Sequence, residues 1–150
     1  MPLTVQEILD DKVGQGGRTI GVAPGAPVRE VVATMVRENI GSVVVMDGSA
    51  LAGLITLREV VQGLESRGAG LLDTAAREVM NAAPVIVQPG DSADGLRSMM
   101  TERHVSHAVV IAGEQLAGVI SFHDIARSAV KDVSFENRLL KQYIKNWPQS

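Results

Sequence analysis

A repeat constrains this chain more than any other feature. Leu51-Ala52-Gly53-Leu54-Ile55-Thr56-Leu57-Arg58-Glu59 returns as Leu116-Ala117-Gly118-Val119-Ile120-Ser121-Phe122-His123-Asp124, with sixty-five residues between equivalents, the same spacing that separates Pro24 from Pro89. No gap is needed between those anchors, since Gly25, Met35, Val44, Val45 and Gly48 recur as Gly90, Met100, Val109, Val110 and Gly113. A repeat of this period is one supersecondary unit used twice, so the two copies share one local fold.

Within the first copy, Ile20 and Val22 alternate as a short strand. Pro24-Gly25 then marks a turn into a helix over residues 28–39, whose Val28, Val31, Val32, Met35 and Val36 fall on one face. Ser42 to Met46 is short, continuous and β-branched, and Asp47-Gly48 separates it from Leu51 to Thr56, which predicts a hairpin. A second helix follows with Val60, Val61 and Leu64 inward. Residues 85–130 read the same way. Ahead of each copy stands a lead-in, Thr4 to Leu9 and Ala75 to Met80, in which Glu7-Ile8 and Glu78-Val79 correspond. Both lead-ins read as short helices, and Gly14 to Gly17 as a surface loop, since a phosphate cradle would need a preceding strand and a Lys-Ser or Lys-Thr pair.

The fold class is therefore α+β: two β-α-β-β-α units about a pseudo-twofold axis. Their divisions are residues 1–66 with the first lead-in, 67–74 as linker, 75–131 as the second copy, and 132–150 as an added element. One unit is too small to bury both sides of its sheet, so the sheets are expected to pack together and leave a cleft along the seam.

Composition narrows the function classes. With 14 Lys and Arg, 17 Asp and Glu and a formal charge of −3, the chain has no basic block of the kind nucleic-acid binding requires. Its apolar residues, 45% of the total, lie in short runs that do not approach the roughly 20 residues of a membrane span. Residues 1–10 lack the basic start and apolar core of a secretion signal, and there is no cysteine, so a cytoplasmic location is expected.

Thr56 with Glu59, and Ser121 with Asp124, place a hydroxyl and an acid where strand becomes helix. A capping box accounts for such a pair without any ligand, and it fits the longer Glu59 well. Asp124 is one methylene shorter and fits the box less well. A short carboxylate beside a cleft can instead accept two hydrogen bonds from a vicinal diol, with Ser121 and the open helix amides suited to phosphate. His104, His107 and His123 are spaced so that nothing brings them together as a metal site. His104 is expected to end a helix, and His123 to point away from Asp124. His107, at the start of a strand near Ser121, is a candidate donor to an anion; its structural alternative is a half-buried strand residue.

After Val130 the chain holds Phe135, Leu139, Leu140, Tyr143, Ile144 and Trp147 at three- and four-residue steps, the pattern of an amphipathic helix ended by Pro148. Packing on its own domain, a homodimer interface, and a partner or membrane surface are the open readings.

The paired signatures, the two lead-ins and the Pro-Gly before each first helix resemble a tandem pair of cystathionine β-synthase (CBS) domains, a Bateman module. The tail is similar to that of small free-standing bacterial CBS proteins. The resemblance implies binding of an adenosine-containing ligand such as AMP, ADP, ATP, NAD or S-adenosylmethionine, regulation of a partner protein, association as flat homodimers, and no catalysis or catalytic cofactor. It further implies that Asp124 holds the ribose hydroxyls, Ser121 and His107 the phosphate, and Ala83, Pro84 and Val85 the adenine. In the first copy, Thr56, Glu59, Ile20 and Ser42 would form a weaker site, because Glu59 stands where Asp is usual. A ligand-free interaction scaffold working through its C-terminal helix is the alternative.

Overall fold

The computed structural model describes residues 3–130; the expected tail helix lies outside them. Helix α1 (Val5–Gly14) begins at a complete capping box, in which Thr4 Oγ1 accepts from the Glu7 amide and the Glu7 carboxylate accepts from the Thr4 amide. The first copy then runs β1 (Gly21–Val22), α2 (Val28–Glu38), β2 (Ser42–Asp47), β3 (Ala50–Thr56) and α3 (Leu57–Arg67). The second runs β4 (Ile86–Val87), α4 (Ala93–Arg103), β5 (His107–Ala112), β6 (Gln115–Ser121) and α5 (Phe122–Val130). Each forms a three-stranded sheet in chain order, with its first pair parallel and its second antiparallel. The registers match as well: Ser42 faces Thr56 as His107 faces Ser121, and the hairpins shift register between Val45 and Met46 and between Val110 and Ile111.

Val44 and Leu54 from one sheet pack against Val109 and Val119 from the other, so the seam between copies is a buried apolar layer. Each copy keeps its own core on the opposite face of its sheet.

The lead-ins cross over. Order along the chain groups α1 with the first copy, yet Val5, Ile8 and Leu9 are buried in the core of the second, among Val87, Leu96, Met100 and Ile120. Conversely, Ala76 is buried in the first core with Val22, Val31 and Ile55. The backbone bonds repeat the exchange. The Val5 amide donates to Asp91 O and the Gln6 amide to Pro89 O, both at 2.9 Å, while the Ala76 amide donates to Ala26 O at 2.7 Å and the Arg77 amide to Pro24 O at 3.0 Å. These amides would otherwise go unpaired at the start of each lead-in.

Two glycines make the crossing possible. A Cβ on Gly53 would lie 2.6 Å from Met80 Sδ and 2.8 Å from the Asn81 carbonyl, and one on Gly118 would lie 2.7 Å from Leu9 Cδ1 and 3.3 Å from Thr19 Oγ1. Each signature glycine is thus where the opposite lead-in passes over the sheet.

Several expectations are corrected. The second lead-in is only a 3-10 turn, Ala76–Glu78, because Asn81 leaves it to bridge Leu54 and Pro84 cannot continue a helix. Residues 67–74, which join the two copies, contain the 3-10 helix Gly68–Asp73, whose Leu71 is fully buried. Val36 is 78% exposed, while Thr34 takes the buried place on α2. On α3, Val61 and Leu64 face outward and Gly63 faces in, where a Cβ would lie 2.5 Å from Leu71 and 3.1 Å from Val79. A counted apolar stripe cannot register a glycine that leaves room for a neighbour's side chain.

Candidate functional site

Beside the seam lies a cavity of about 620 Å³, within the roughly 300–1,000 Å³ range of small-molecule pockets. Five of the expected site residues line it: Ser121, Asp124 and His107 from the second copy, and Ile20 and Ser42 from the first. Ala83, Pro84, Val85, Thr56 and Glu59 do not line it. Ile20 and Ser42 thus share a cavity with Asp124, and Ala83 to Val85 lie outside it. The segment leading into β1 runs past Gly118 on β6, whereas Asn81 pairs with Leu54 on β3. The glycine passage expected to be a surface loop also contributes, since Gly16 and Gly17 border the cavity.

Where β6 becomes α5, the Ser121 amide donates to Asp124 Oδ2 at 2.9 Å and the Asp124 amide to Ser121 Oγ at 3.0 Å. This is a reciprocal cap, closed by the shorter aspartate that was expected to fit the box less well. Asp124 is 5% exposed, and two cations meet it: Lys12 Nζ lies 3.0 Å from Oδ2 and Arg127 Nη2 lies 3.0 Å from Oδ1. Burial alone would raise the Asp124 pKa. The Ser121 amide, Lys12 and the Ser121 hydroxyl outweigh it and hold the carboxyl below its ordinary value. Lys12 also donates to Val119 O at 2.7 Å, and Arg127 reaches Asp11 Oδ2 at 3.5 Å.

Lys12, Arg18 and Arg127 are the site residues that sequence reasoning missed. One signal for Arg127 was present in the chain: it follows Asp124 by one helical turn, where the first copy has Gln62 after Glu59. Lys12 was hidden because its approach depends on the crossed lead-in. Arg18 pairs with Glu38 at 2.7 Å, and its hydrogen bond holds the Glu38 carboxyl below the usual range.

His107 opens β5, with Nδ1 2.7 Å from Ser106 Oγ. Burial pushes its imidazole below the ordinary value and Lys12 adds to the shift, against the opposing pull of Asp124 and Glu59. The ring is thus neutral near pH 7 and offers one donor and one acceptor. His104 caps the end of α4 with φ 54°, as Asn39 caps α2 with φ 52°. His123 is exposed in the first turn of α5 and borders the cavity. Among the described residues no group of three or more His, Cys, Asp or Glu is placed to hold a metal ion, and no helix is long and apolar enough to cross a membrane.

At the equivalent point of the first copy, Glu59 Oε1 accepts from the Thr56 amide at 2.7 Å and from the Thr56 hydroxyl at 2.6 Å. The capping box expected there is present. The cavity thus combines apolar lining from Ile20, Ile40, Val44 and Val119 with a buried, ion-paired carboxylate and three cations.

Comparison with known proteins agrees with this architecture. The chain resembles a structure of a putative signal-transduction protein with CBS domains from Burkholderia ambifaria, at 30% identity and TM-score 0.80, covering 87% of this chain and 96% of that one. A CBS domain protein from Pyrobaculum aerophilum, solved in complex with AMP, shares the fold at 19% identity and TM-score 0.71, over 93% of this chain and 99% of the other. Arabinose 5-phosphate isomerase of Salmonella typhi is 29% identical over 105 residues, 70% of this chain, which spans only 32% of that enzyme's length. The CBS domain family model matches residues 18–66 and again 76–131, so the chain belongs to the CBS-domain family as a tandem pair.

Proposed function

We propose that the chain is a regulatory module that takes an adenosine-containing ligand in the seam cavity and signals by changing how the two copies pack. The observation that carries this reading is the convergence on one cavity of the Ser121 and Asp124 pair, His107 and the first-copy residues Ile20 and Ser42. Apolar Ile20, Ile40 and Val44 suit the faces of a purine, and Asp124 suits a ribose diol. AMP in the Pyrobaculum protein supports the same ligand class. Because the cavity draws on both copies and on α1, a ligand that binds one packing arrangement better than another shifts the population between them. The module itself performs no chemistry in this reading, and the regulated partner is a separate protein or domain. Thr56 and Glu59 would belong to a second, weaker site.

Thermal unfolding of the purified chain against AMP, ADP, ATP, NAD and S-adenosylmethionine, followed by calorimetry, tests the proposal. Ligand at 100 times its dissociation constant adds about 2.7 kcal/mol to stability, several degrees in midpoint for a chain of this size. The shift should be lost in Asp124→Asn, which retains a cap acceptor while losing the charge. Millimolar concentrations without a shift from any of these compounds would count against the reading.

A second reading has its own support. Both hydroxyl-acid pairs serve as helix caps, and Leu57, Val61 and Leu64, at 60%, 63% and 52% exposure, form a stripe along α3. We infer that this stripe contributes to a homodimer or protein-interaction surface. Sedimentation of Val61→Glu tests it: a lower mass than wild type supports the interface, and an unchanged one argues against it.

A further inference from the structure

We propose that the cavity selects a phosphate-bearing adenosine ligand over the bare nucleoside and over a cationic analogue, with Lys12 setting the preference. The inference rests on the reading that a ribose diol binds at Asp124.

A carboxylate has about four acceptor positions. On Asp124, Oδ2 already accepts the Ser121 amide and faces the Lys12 ammonium, while Oδ1 accepts Arg127. The amide is fixed by the helix cap, so a diol that needs two positions must take one from a cation. Arg127 is held a second time by Asp11, at 3.5 Å. Lys12 is the cation that can yield, being a point charge on a flexible stem rather than a rigid fork.

A nucleoside that displaces Lys12 leaves a largely buried ammonium with the Val119 carbonyl but without its counter-charge, and a neutral ligand does not restore that charge. A phosphate does offset it, by accepting a charge-assisted hydrogen bond from the freed ammonium. A sulfonium group adds a like charge and deepens the loss. The remaining lining agrees: Arg18 and Arg127 accompany Lys12, whereas the carboxylates there, Glu38 and Asp124, are already ion-paired. In the other lead-in, Ala83 stands at the position of Lys12, so the first copy's acid lacks this device.

Isothermal calorimetry of the full chain with AMP, adenosine and S-adenosylmethionine tests the proposal, followed by Lys12→Met and Lys12→Arg. AMP is expected to bind wild type about 100-fold more tightly than adenosine, from a charged hydrogen bond gained and an orphaned cation avoided. S-Adenosylmethionine is expected to bind no better than adenosine. In Lys12→Met adenosine should tighten and AMP weaken, bringing their ratio below about 5-fold, whereas Lys12→Arg retains the preference. A role confined to stability would leave that ratio unchanged. Wild-type AMP and adenosine affinities within about 3-fold of each other, tighter binding of S-adenosylmethionine than of AMP, or an unaltered ratio in Lys12→Met would each overturn the preference while leaving the adenosine site standing. Failure of all three compounds to bind would remove the site and the preference together. The wild-type ratios decide the matter even if Lys12→Met does not fold.

Discussion

The two strand-to-helix junctions have the same backbone and different electrostatics. Thr56 with Glu59 and Ser121 with Asp124 both close a cap at the same register. Yet Glu59 uses one oxygen for both the amide and the hydroxyl of Thr56, whereas both oxygens of Asp124 meet cations from outside the signature. The counterparts of those cations, Lys12 and Arg127, are Ala83 and Gln62. Duplication preserved the cap, which backbone satisfaction requires, while the residues around it set how the acid is paired. The shorter acid lies among the cations and the longer one serves its own helix.

The largest asymmetry is expected at the signature glycines. Gly53→Ala drives a methyl into the Asn81 carbonyl, which is itself held by the Leu54 amide at 3.0 Å, so the backbone must move. Gly118→Ala meets the end of the Leu9 side chain first, and a side chain can turn aside. Chemical denaturation should give a loss of about 3 kcal/mol for Gly53→Ala and about 1 kcal/mol for Gly118→Ala. Equal losses would mean that the two lead-ins yield alike.

Removing the acids reverses the order of the copies. Glu59→Ala should cost about 1 kcal/mol, the loss of one cap. Asp124→Ala also strands Lys12 and leaves Arg127 with Asp11 alone, and because both cations keep some contact with water the cost should be about 2 to 3 kcal/mol, below that of a fully buried pair. Adding Lys12→Met to Asp124→Ala should recover part of that loss, whereas the same addition to Glu59→Ala should be additive.

The strand-start residues differ in titration as well. His107 is held below its ordinary pKa in the fold, so on acidification the unfolded chain takes up its proton first. Its contribution is complete above about pH 6.5 and is lost as pH falls from there toward the folded value. Asp124 is also held low, and its contribution is lost only below the ordinary carboxylate range, near pH 4. His107→Ser installs the residue that the first copy has at Ser42, and it should flatten the stability profile below pH 6.5 while leaving the acid limb. One proton limits the removed slope to about 1.4 kcal/mol per pH unit.

Much of this was legible in the chain. Ungapped register gave the order of strands and helices twice, since matching side chains at matching spacing impose matching periods. It also picked out the pair Ser121 and Asp124; the fold brings them to one cavity with His107, singled out by its place on the strand, and with Ile20 and Ser42, which the sequence groups with Thr56. Periodicity tells which face of α1 is apolar, but Val5, Ile8 and Leu9 carry nothing that names the copy they cover. The crossing of the lead-ins, and with it the approach of Lys12 to Asp124, is a long-range choice that no local pattern encodes. The aspartate cap was misjudged from side-chain length alone, although the backbone at Ser121 brings its amide within reach.

The smallest effect separates the two copies of the first helix. Val36 extends an apolar run on α2, but Thr34, Val31, Met35 and Val28 occupy the buried arc and leave it in water. The second copy has Thr101 at that position, with Met99 in place of Thr34. An exposed side chain has little apolar area left to lose, so Val36→Thr should change stability by less than about 0.5 kcal/mol. Thr34→Met tests the other half of the exchange, because it asks the first core to accept the larger side chain that is partly buried beside the second. The site is buried and already filled, so overpacking should cost about 1 to 2 kcal/mol. If Val36→Thr instead costs as much as a core truncation, that face of α2 is covered in solution, and the exposed residues of α2 belong with the α3 stripe to an interface.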